Sequence, residues 1–125
     1  MKAVAYCRIS PEEKAEGTNL IEDQKAIIDK YCAENNVELA GYYIDESGAG
    51  LRDKRPELDR LLNGDVPEHT EAVLVSSTGT IALNHKRYLF LSLELEKQNL
   101  KIVCVDPNAD IFSNMMGGAC RGAGA

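Results

Sequence analysis

Near its start the chain carries AVAYC, residues 3–7, the first of four short apolar or β-prone runs. A run of this kind is typical of a strand that is buried on both faces of a parallel sheet. The other runs lie at residues 37–44, 72–75 and 101–105, and helix-prone segments separate them. This alternation predicts an α/β fold with a mostly parallel central sheet of four or five strands flanked by helices.

Three helices are expected between the strands. The first follows a polar loop at residues 10–19 and is predicted to start from a capping box of Asn19 and Glu22. It is expected to end at residues 35–36. Its apolar stripe is predicted on Leu20, Gln24, Ile27 and Tyr31, flanked by Ile21, Ile28 and Cys32.

The second and third helices are shorter. Pro56 is expected in the first turn of the second helix, where its missing N–H costs nothing, and Asn63-Gly64 should end that helix. The third helix is expected over residues 89–96. The leucines of that segment alternate as in a strand, but Leu, Glu, Lys and Gln favour a helix.

The chain has 125 residues, of which 44% are hydrophobic and 27% charged, as in a soluble globular domain. No stretch approaches the roughly 18–20 apolar residues of a membrane span. The net charge of −6 comes from 14 basic and 20 acidic residues. Because this charge repels phosphate backbones, any role with nucleic acid requires a local basic site or another domain.

Metal binding and secretion are both disfavoured. None of the four cysteines lies in a Cys-x-x-Cys pair, and only two histidines could supplement them. The first residues do not resemble a signal peptide, so we expect reduced thiols and a cytoplasmic location. We expect residues 1–107 to form the folded domain and residues 108–125 to form a flexible Gly/Ala-rich tail.

Candidate chemistry lies where the strands end, since ligands of parallel sheets bind at the carboxyl ends of the strands. Arg8 and Ser10 follow the first strand, and an arginine beside a hydroxyl suits a phosphate group. The alternative is a solvated Arg8 and a Ser10 that only starts a turn. Asp45 and Glu46 follow the second strand, where they could bind a metal or ribose or simply cap a loop. Neither G-x-x-x-x-G-K-[ST] nor G-x-G-x-x-G occurs, which disfavours ATP- and NAD-dependent chemistry.

Three motifs in order resemble the catalytic domain of serine recombinases, the resolvase/invertase family, over roughly residues 2–106. The first is Tyr6-x-Arg8-Ile9-Ser10. The second, at residues 19–24, is similar to the family's Ser-[LI]-x-x-Gln helix start, with a leucine where the family has serine. The third is residues 45–50 followed by Arg55-Pro56-Glu57-Leu58, similar to Asp-Glu-Gly-x-Ser-Gly and Arg-Pro-x-Leu.

The resemblance implies DNA cleavage and rejoining through a 5′-phosphoserine link, with no metal and no small-molecule cofactor. It implies catalytic roles for Ser10 as nucleophile and for Arg8 and Arg55 as donors to the phosphate oxygens. It further implies that Gln24 helps to orient the site and that Gln24, Arg52 and Lys54 contact the DNA phosphates.

The expected partner is DNA, bound mainly through a C-terminal domain outside this sequence, and the expected assembly is a homodimer or tetramer without any membrane association. In the family a long helix and a DNA-binding domain follow the catalytic core. We therefore expect this chain to be the N-terminal portion of a longer recombinase or a truncated relic.

The sequence departs from the family after the third strand. The family reads Leu-Asp-Arg-Leu-x-Arg there, whereas this chain has Gly79 for the aspartate and Thr80 and Leu83 for the two arginines. An arginine that stabilises a phosphoryl transition state is worth roughly 10³–10⁵ in rate, so impaired activity is expected. Lys86 or Arg87 could compensate in part.

Two other functions remain open from the sequence. One is a catalytically inactive recombinase-like module that acts through protein interactions or regulation. The other is a flavodoxin-like phosphate or nucleotide binder, which the missing phosphate-binding loop disfavours.

Overall fold

The computed structural model describes residues 1–46, 55–82 and 84–106. The strands in these ranges are β1 (Lys2–Ile9), β2 (Glu38–Glu46), β3 (Ala72–Val75) and β4 (Lys101–Cys104). The helices are α1 (Pro11–Glu16), α2 (Ile21–Asn35), α3 (Pro56–Leu62) and α4 (His85–Glu96), and a 3₁₀ turn covers Thr78–Thr80.

The described strands form one sheet in the order β2-β1-β3-β4, and every pair of neighbours is parallel. In the register, Arg8 lies beside Asp45 and Ala5 beside Leu74. The prediction of a parallel α/β sheet flanked by helices is confirmed. Because all the strands run the same way, their carboxyl ends meet at one edge, where the candidate residues were expected.

The core lies on both faces of this sheet, and β1 contributes to each. Val4 and Tyr6 pack with α3 and α4 on one face, while Ala3, Ala5 and Cys7 pack with α2 on the other. All five side chains are fully buried. The alternation follows from the period-two geometry of a strand, and it explains why the first run is apolar without interruption.

The polar loop predicted for residues 10–19 is wrong in its first part, because α1 forms there. Ser10 is the N-cap of α1: its Oγ accepts from the Glu13 N–H, and the Glu13 carboxylate accepts from the Ser10 N–H. This is a capping box, with Pro11 at the start of the helix and Gly17 ending it in a left-handed conformation (φ 74°). Pro11 and Gly17, which indicated a loop, instead mark the start and the end of a short helix.

The predicted start of α2 is also wrong. Its N-cap is Leu20, with no side-chain cap, whereas Asn19 lies one residue earlier at a φ of 49°. The buried positions are Gln24, Ile28 and Cys32, and Ile27 is 43% exposed. The buried stripe therefore follows an i, i+4, i+8 spacing from Gln24, a polar residue held inside by hydrogen bonds. The predicted end near residue 35 is confirmed.

The other described elements agree with their predictions, with small shifts at the ends. α3 starts at Pro56 and ends at Asn63, and Leu58 and Leu61 are its buried residues. α4 confirms the helix and begins four residues earlier than expected. β2 runs to Glu46, and β4 ends at Cys104.

Several predictions fall outside the described residues, namely those for the tail at 108–125 and for Arg52, Lys54 and Leu83. Within the described ranges, none of the helices combines the length and apolar character needed to cross a membrane.

Candidate active site

A cleft of about 500 Å³ lies at the carboxyl edge of the sheet, between the ends of β1 and β3. One wall comes from the end of β1, from α1 and from the turn before α2, and consists of Arg8, Ser10, Glu13 and Asn19. The opposite wall follows β3 and consists of Ser77, Gly79 and Thr80. The structure thus brings together Arg8 and Ser10, two of the three predicted catalytic residues.

Ser10 is held by the end of β1 on one side and by the capping box on the other. Its Oγ lies 3.1 Å from the Glu13 backbone nitrogen, and its own nitrogen lies 3.0 Å from Glu13 Oε1. As an N-cap, the hydroxyl oxygen accepts a hydrogen bond, while its proton can still be donated. The interpretation that Ser10 only starts a turn understates this, because Ser10 both caps a helix and lines the cleft.

Gln24 is buried at 1% exposure and connects the wall to α2. Its Nε2 donates to the carbonyls of Arg8 (2.9 Å) and Asn19 (2.8 Å), and its Oε1 accepts from the Arg8 N–H (3.2 Å). Both amide hydrogens are therefore bonded to the protein backbone. In this structure Gln24 holds Arg8 in place, and its predicted contact with DNA phosphate stays a prediction.

The opposite wall carries Gly79 and Thr80, the residues for which the resemblance implied a departure from the family motif. Ser77 caps the 3₁₀ turn, since its Oγ accepts from the Gly79 N–H at 3.0 Å. Thr80 is 4% exposed, and its Oγ1 is buried without a hydrogen-bond partner. On this side the cleft is therefore lined by a glycine and a buried hydroxyl.

Arg55, the third predicted catalytic residue, lies behind that wall and outside the set of described residues that line the cleft. Its two terminal nitrogens each lie 2.6 Å from a backbone carbonyl oxygen, those of Thr80 and Ile81, and its Nε donates to Tyr6 Oη at 3.0 Å. These bonds use three of the five N–H groups of a guanidinium. A phosphate contact by Arg55 stays a prediction.

Tyr6 and Asp45 join Arg55 in a buried polar network. The Tyr6 hydroxyl donates to Asp45 Oδ2 at 2.8 Å, and the Asp45 carboxylate also accepts from the backbone N–H groups of Glu57 and Leu58. Burial raises the pKa of Tyr6 far above its usual value, since the opposing effect of the Arg55 charge is smaller. Asp45 thus anchors the first turn of helix α3, whereas the sequence alternatives were a metal or ribose site or the capping of a loop.

Among the described residues that line the cleft, only Arg8 and Glu13 carry a charge. Burial raises the pKa of the Glu13 carboxyl, but hydrogen bonds from Ser10 and Asn19 and the Arg8 charge outweigh it and hold the pKa below its usual range. Glu13 is therefore ionised at neutral pH. A cleft with one cation and one anion has little net attraction for a phosphodiester.

Sequence reasoning missed the roles of Tyr6, Glu13 and Asn19 in this site. The spacing Ser10-x-x-Glu13 is the signature of a capping box and could have revealed α1. The φ of Asn19 and the pairing of Tyr6 with Arg55 depend on tertiary structure, which no local pattern predicts. In the described ranges, no group of three or more His, Cys, Asp or Glu residues is placed to hold a metal ion.

The sequence matches the family described as resolvase, N-terminal domain, over residues 3–121. Comparison with curated proteins gave no match.

Three solved structures have a similar fold. The N-terminal catalytic domain of TP901-1 integrase is 23% identical, with a TM-score of 0.66 over 84% of this chain and 77% of that chain. A resolvase family site-specific recombinase from Streptococcus pneumoniae is 22% identical, with a TM-score of 0.69 over 95% and 85%. The C-terminal catalytic domain of ISC1926 TnpA, an IS607-like serine recombinase, is 17% identical, with a TM-score of 0.59 over 85% and 70%.

At these identities the structural likeness concerns the fold, and the match over residues 3–121 establishes the family. The resemblance seen in the sequence motifs is confirmed, and this chain belongs to the resolvase N-terminal domain family.

Proposed function

We propose that this chain is the catalytic domain of a site-specific serine recombinase and that Ser10 is its nucleophile. The observation that carries the proposal is the placement of Ser10 and Arg8 on one wall of a cleft at the carboxyl edge of the sheet. Family membership and the fold of the similar recombinase structures support it. The partner is DNA, and its backbone phosphate is the group attacked.

In the proposed reaction, Ser10 Oγ attacks a phosphorus of the DNA backbone. The Oγ–P bond forms and the bond from phosphorus to the 3′ oxygen breaks. The serine proton leaves Oγ, and a proton is returned to the departing oxygen as a 3′-hydroxyl. The phosphoserine ester retains the energy of the diester, so the reverse attack by a 3′-hydroxyl rejoins the strand without ATP.

Arg8 is proposed to stabilise the negative charge that develops on the non-bridging oxygens, as the main cation of the cleft. Gln24 keeps the Arg8 backbone fixed through its three hydrogen bonds. Arg55 is proposed to hold the Thr80–Ile81 backbone. Its guanidinium has two N–H groups that bond neither these carbonyls nor Tyr6, and we propose that they donate to phosphate. For Arg52 and Lys54 we propose phosphate contacts on the basis of the family resemblance alone.

We propose further that this site is impaired. Gly79 and Thr80 supply neither the acid nor the arginine of the family motif, and Glu13 cancels the charge of Arg8 within the cleft. Phosphoryl transfer depends on positioning and on charge stabilisation, so a cleft without those arginines should react slowly. The same observation favours a second candidate function, an inactive recombinase-like module that acts through association with an intact recombinase or through its regulation.

The test uses nicked duplex oligonucleotides with a randomised centre and a label at the 3′ end of the cut strand. They are incubated with the chain in large excess and resolved on a denaturing gel. We expect a small amount of labelled covalent adduct that Ser10→Ala abolishes. An adduct of equal yield with Ser10→Ala would overturn the assignment of the nucleophile, and complete absence of adduct would favour the inactive module.

A further inference from the structure

We propose that Glu13 is a positioning residue for the nucleophile, acting together with Asn19. This inference rests on the proposed function of Ser10. Glu13 makes contacts on two sides: Oε1 accepts from the Ser10 N–H at 3.0 Å, and Oε2 accepts from Asn19 Nδ2 at 3.0 Å. In addition, the backbone N–H of Glu13 donates to Ser10 Oγ at 3.1 Å.

These contacts belong to a continuous hydrogen-bonded chain along one wall of the cleft. From Ser10 it passes through Glu13 to the Asn19 side chain, then from the Asn19 carbonyl to Gln24, and from Gln24 to both backbone groups of Arg8. Arg8 and Ser10 are two residues apart in sequence, so the chain closes into a ring. The ring fixes the nucleophile relative to the phosphate-binding arginine.

Among the residues that the structure describes, the ring is the main support of α1. None of its six residues is buried, so no apolar packing holds it against the domain. A helix of this length is unstable alone. Apart from the ring itself and the caps at its two ends, the described side-chain hydrogen bond of α1 with the rest of the domain is the exposed ion pair of Lys14 with Glu46, 3.1 Å apart, and exposed pairs contribute little. The position of Ser10 therefore depends on the Glu13 carboxylate.

Asn19 is suited to its place in the ring by its backbone. Its φ of 49° is in the left-handed region, which asparagine adopts more readily than most residues. In that conformation its side chain reaches back to Glu13 while its carbonyl faces Gln24. Asn19→Gly keeps this backbone accessible and removes only the amide donor, which makes it a clean second variant.

The test measures Ser10 directly by NMR in the full 125-residue chain, through the Hα–Hβ couplings that report its χ1 rotamer. In the wild type and in Glu13→Gln, which preserves a capping box, we expect one rotamer. In Glu13→Ala we expect couplings averaged over rotamers, and in Asn19→Gly partial averaging. Glu12→Ala, on the exposed first turn of the same helix, is the matched control and should match the wild type.

Two further readouts separate positioning from a general loss of fold. Because α1 buries no residue, Glu13→Ala should leave the midpoint of thermal unfolding nearly unchanged while the Ser10 couplings average. In the adduct assay, Glu13→Ala should lower the rate of adduct formation about tenfold or more even though it removes the anion beside Arg8, and Glu13→Gln, which removes the same charge but keeps the capping box, should restore most of the rate.

Identical single-rotamer couplings in the wild type, Glu13→Ala and Asn19→Gly would overturn the inference, as would an unchanged adduct rate in Glu13→Ala. If the wild type gives no adduct, the proposed function fails, and the couplings alone decide the role of Glu13.

Discussion

The Arg55 guanidinium lies 2.6 Å from the backbone carbonyl oxygen of Thr80, a residue of the cleft wall that follows β3. A second hydrogen bond of the same length joins Arg55 to the Ile81 carbonyl, and Arg55 Nε donates to the Tyr6 hydroxyl at 3.0 Å. The main chain of this wall is thus held by the side chain of Arg55.

This relationship predicts that Arg55 contributes strongly to stability. Arg55→Met should lower the free energy of unfolding by about 3 kcal/mol, because it removes charge-assisted bonds and leaves buried carbonyls without a donor. Urea unfolding of the full chain measures the change. Arg60→Met is the matched control, since Arg60 makes exposed ion pairs with Glu57 and Asp65, and it should have a much smaller effect. Equal losses in the two variants would contradict the account.

Thr80→Val should leave the free energy of unfolding unchanged or raise it by up to about 1 kcal/mol. The Thr80 hydroxyl is buried and unpartnered, so its removal relieves a desolvation penalty at nearly constant shape. Ser77→Ala, which removes the cap on Gly79, should instead lower the free energy by roughly 1 kcal/mol. The same urea titration distinguishes them. A marked loss of stability in Thr80→Val would mean that the hydroxyl has a partner in solution.

The hydrogen bond from the Ser10 N–H to the Glu13 carboxylate should depend on pH. The pKa of Glu13 is below its ordinary value of 4.5, so the stabilisation by this carboxylate is complete above 4.5 and is lost as the pH falls through the lower, folded-state pKa. The chemical shift of the Ser10 amide proton, followed from pH 7 downward, should report a midpoint below 4.5. Glu13→Gln should abolish this transition. A midpoint above 4.5 would indicate that the contacts with Ser10 and Asn19 do not favour the carboxylate.

Cys7 should be protected from thiol reagents in the folded chain. Burial raises its pKa to about 11, with the Lys25 charge opposing and the Asp29 charge adding to the shift. At pH 8 only about one thiol in 10³ is then ionised, so alkylation should be slow until the chain is denatured. Peptide mapping after a timed iodoacetamide pulse measures this.

The same shift predicts a loss of stability at alkaline pH. A raised folded-state pKa favours the neutral thiol, so its contribution is complete below the ordinary value of 9.0 and falls as the pH rises toward 11. Cys7→Ala should show a shallower decline over that range. Equal slopes would argue against a raised pKa.

The sequence was sufficient to predict the parallel sheet, because its strands are continuous apolar runs separated by helical segments. Arg8 and Ser10 could be placed together since two residues along one strand cannot move far apart. The helix α1 was missed because its support is polar and local, with no apolar periodicity to indicate it. The position of Arg55 behind the wall could not be predicted either, since its partners Tyr6 and Thr80 lie 49 and 25 residues away.

We propose that Ser10 and Arg8 form a recombinase cleft that lacks the acid and the arginines of the family motif. To test this, the motif is restored with Gly79→Asp, Thr80→Arg and Leu83→Arg together in this chain, and the rate of covalent adduct formation is measured. We predict an increase of at least about 10²-fold over the wild type, abolished by Ser10→Ala, because a transition-state arginine alone is worth roughly 10³–10⁵. A folded triple variant that forms adduct no faster than the wild type, or one that still forms it with Ser10→Ala, would contradict the account.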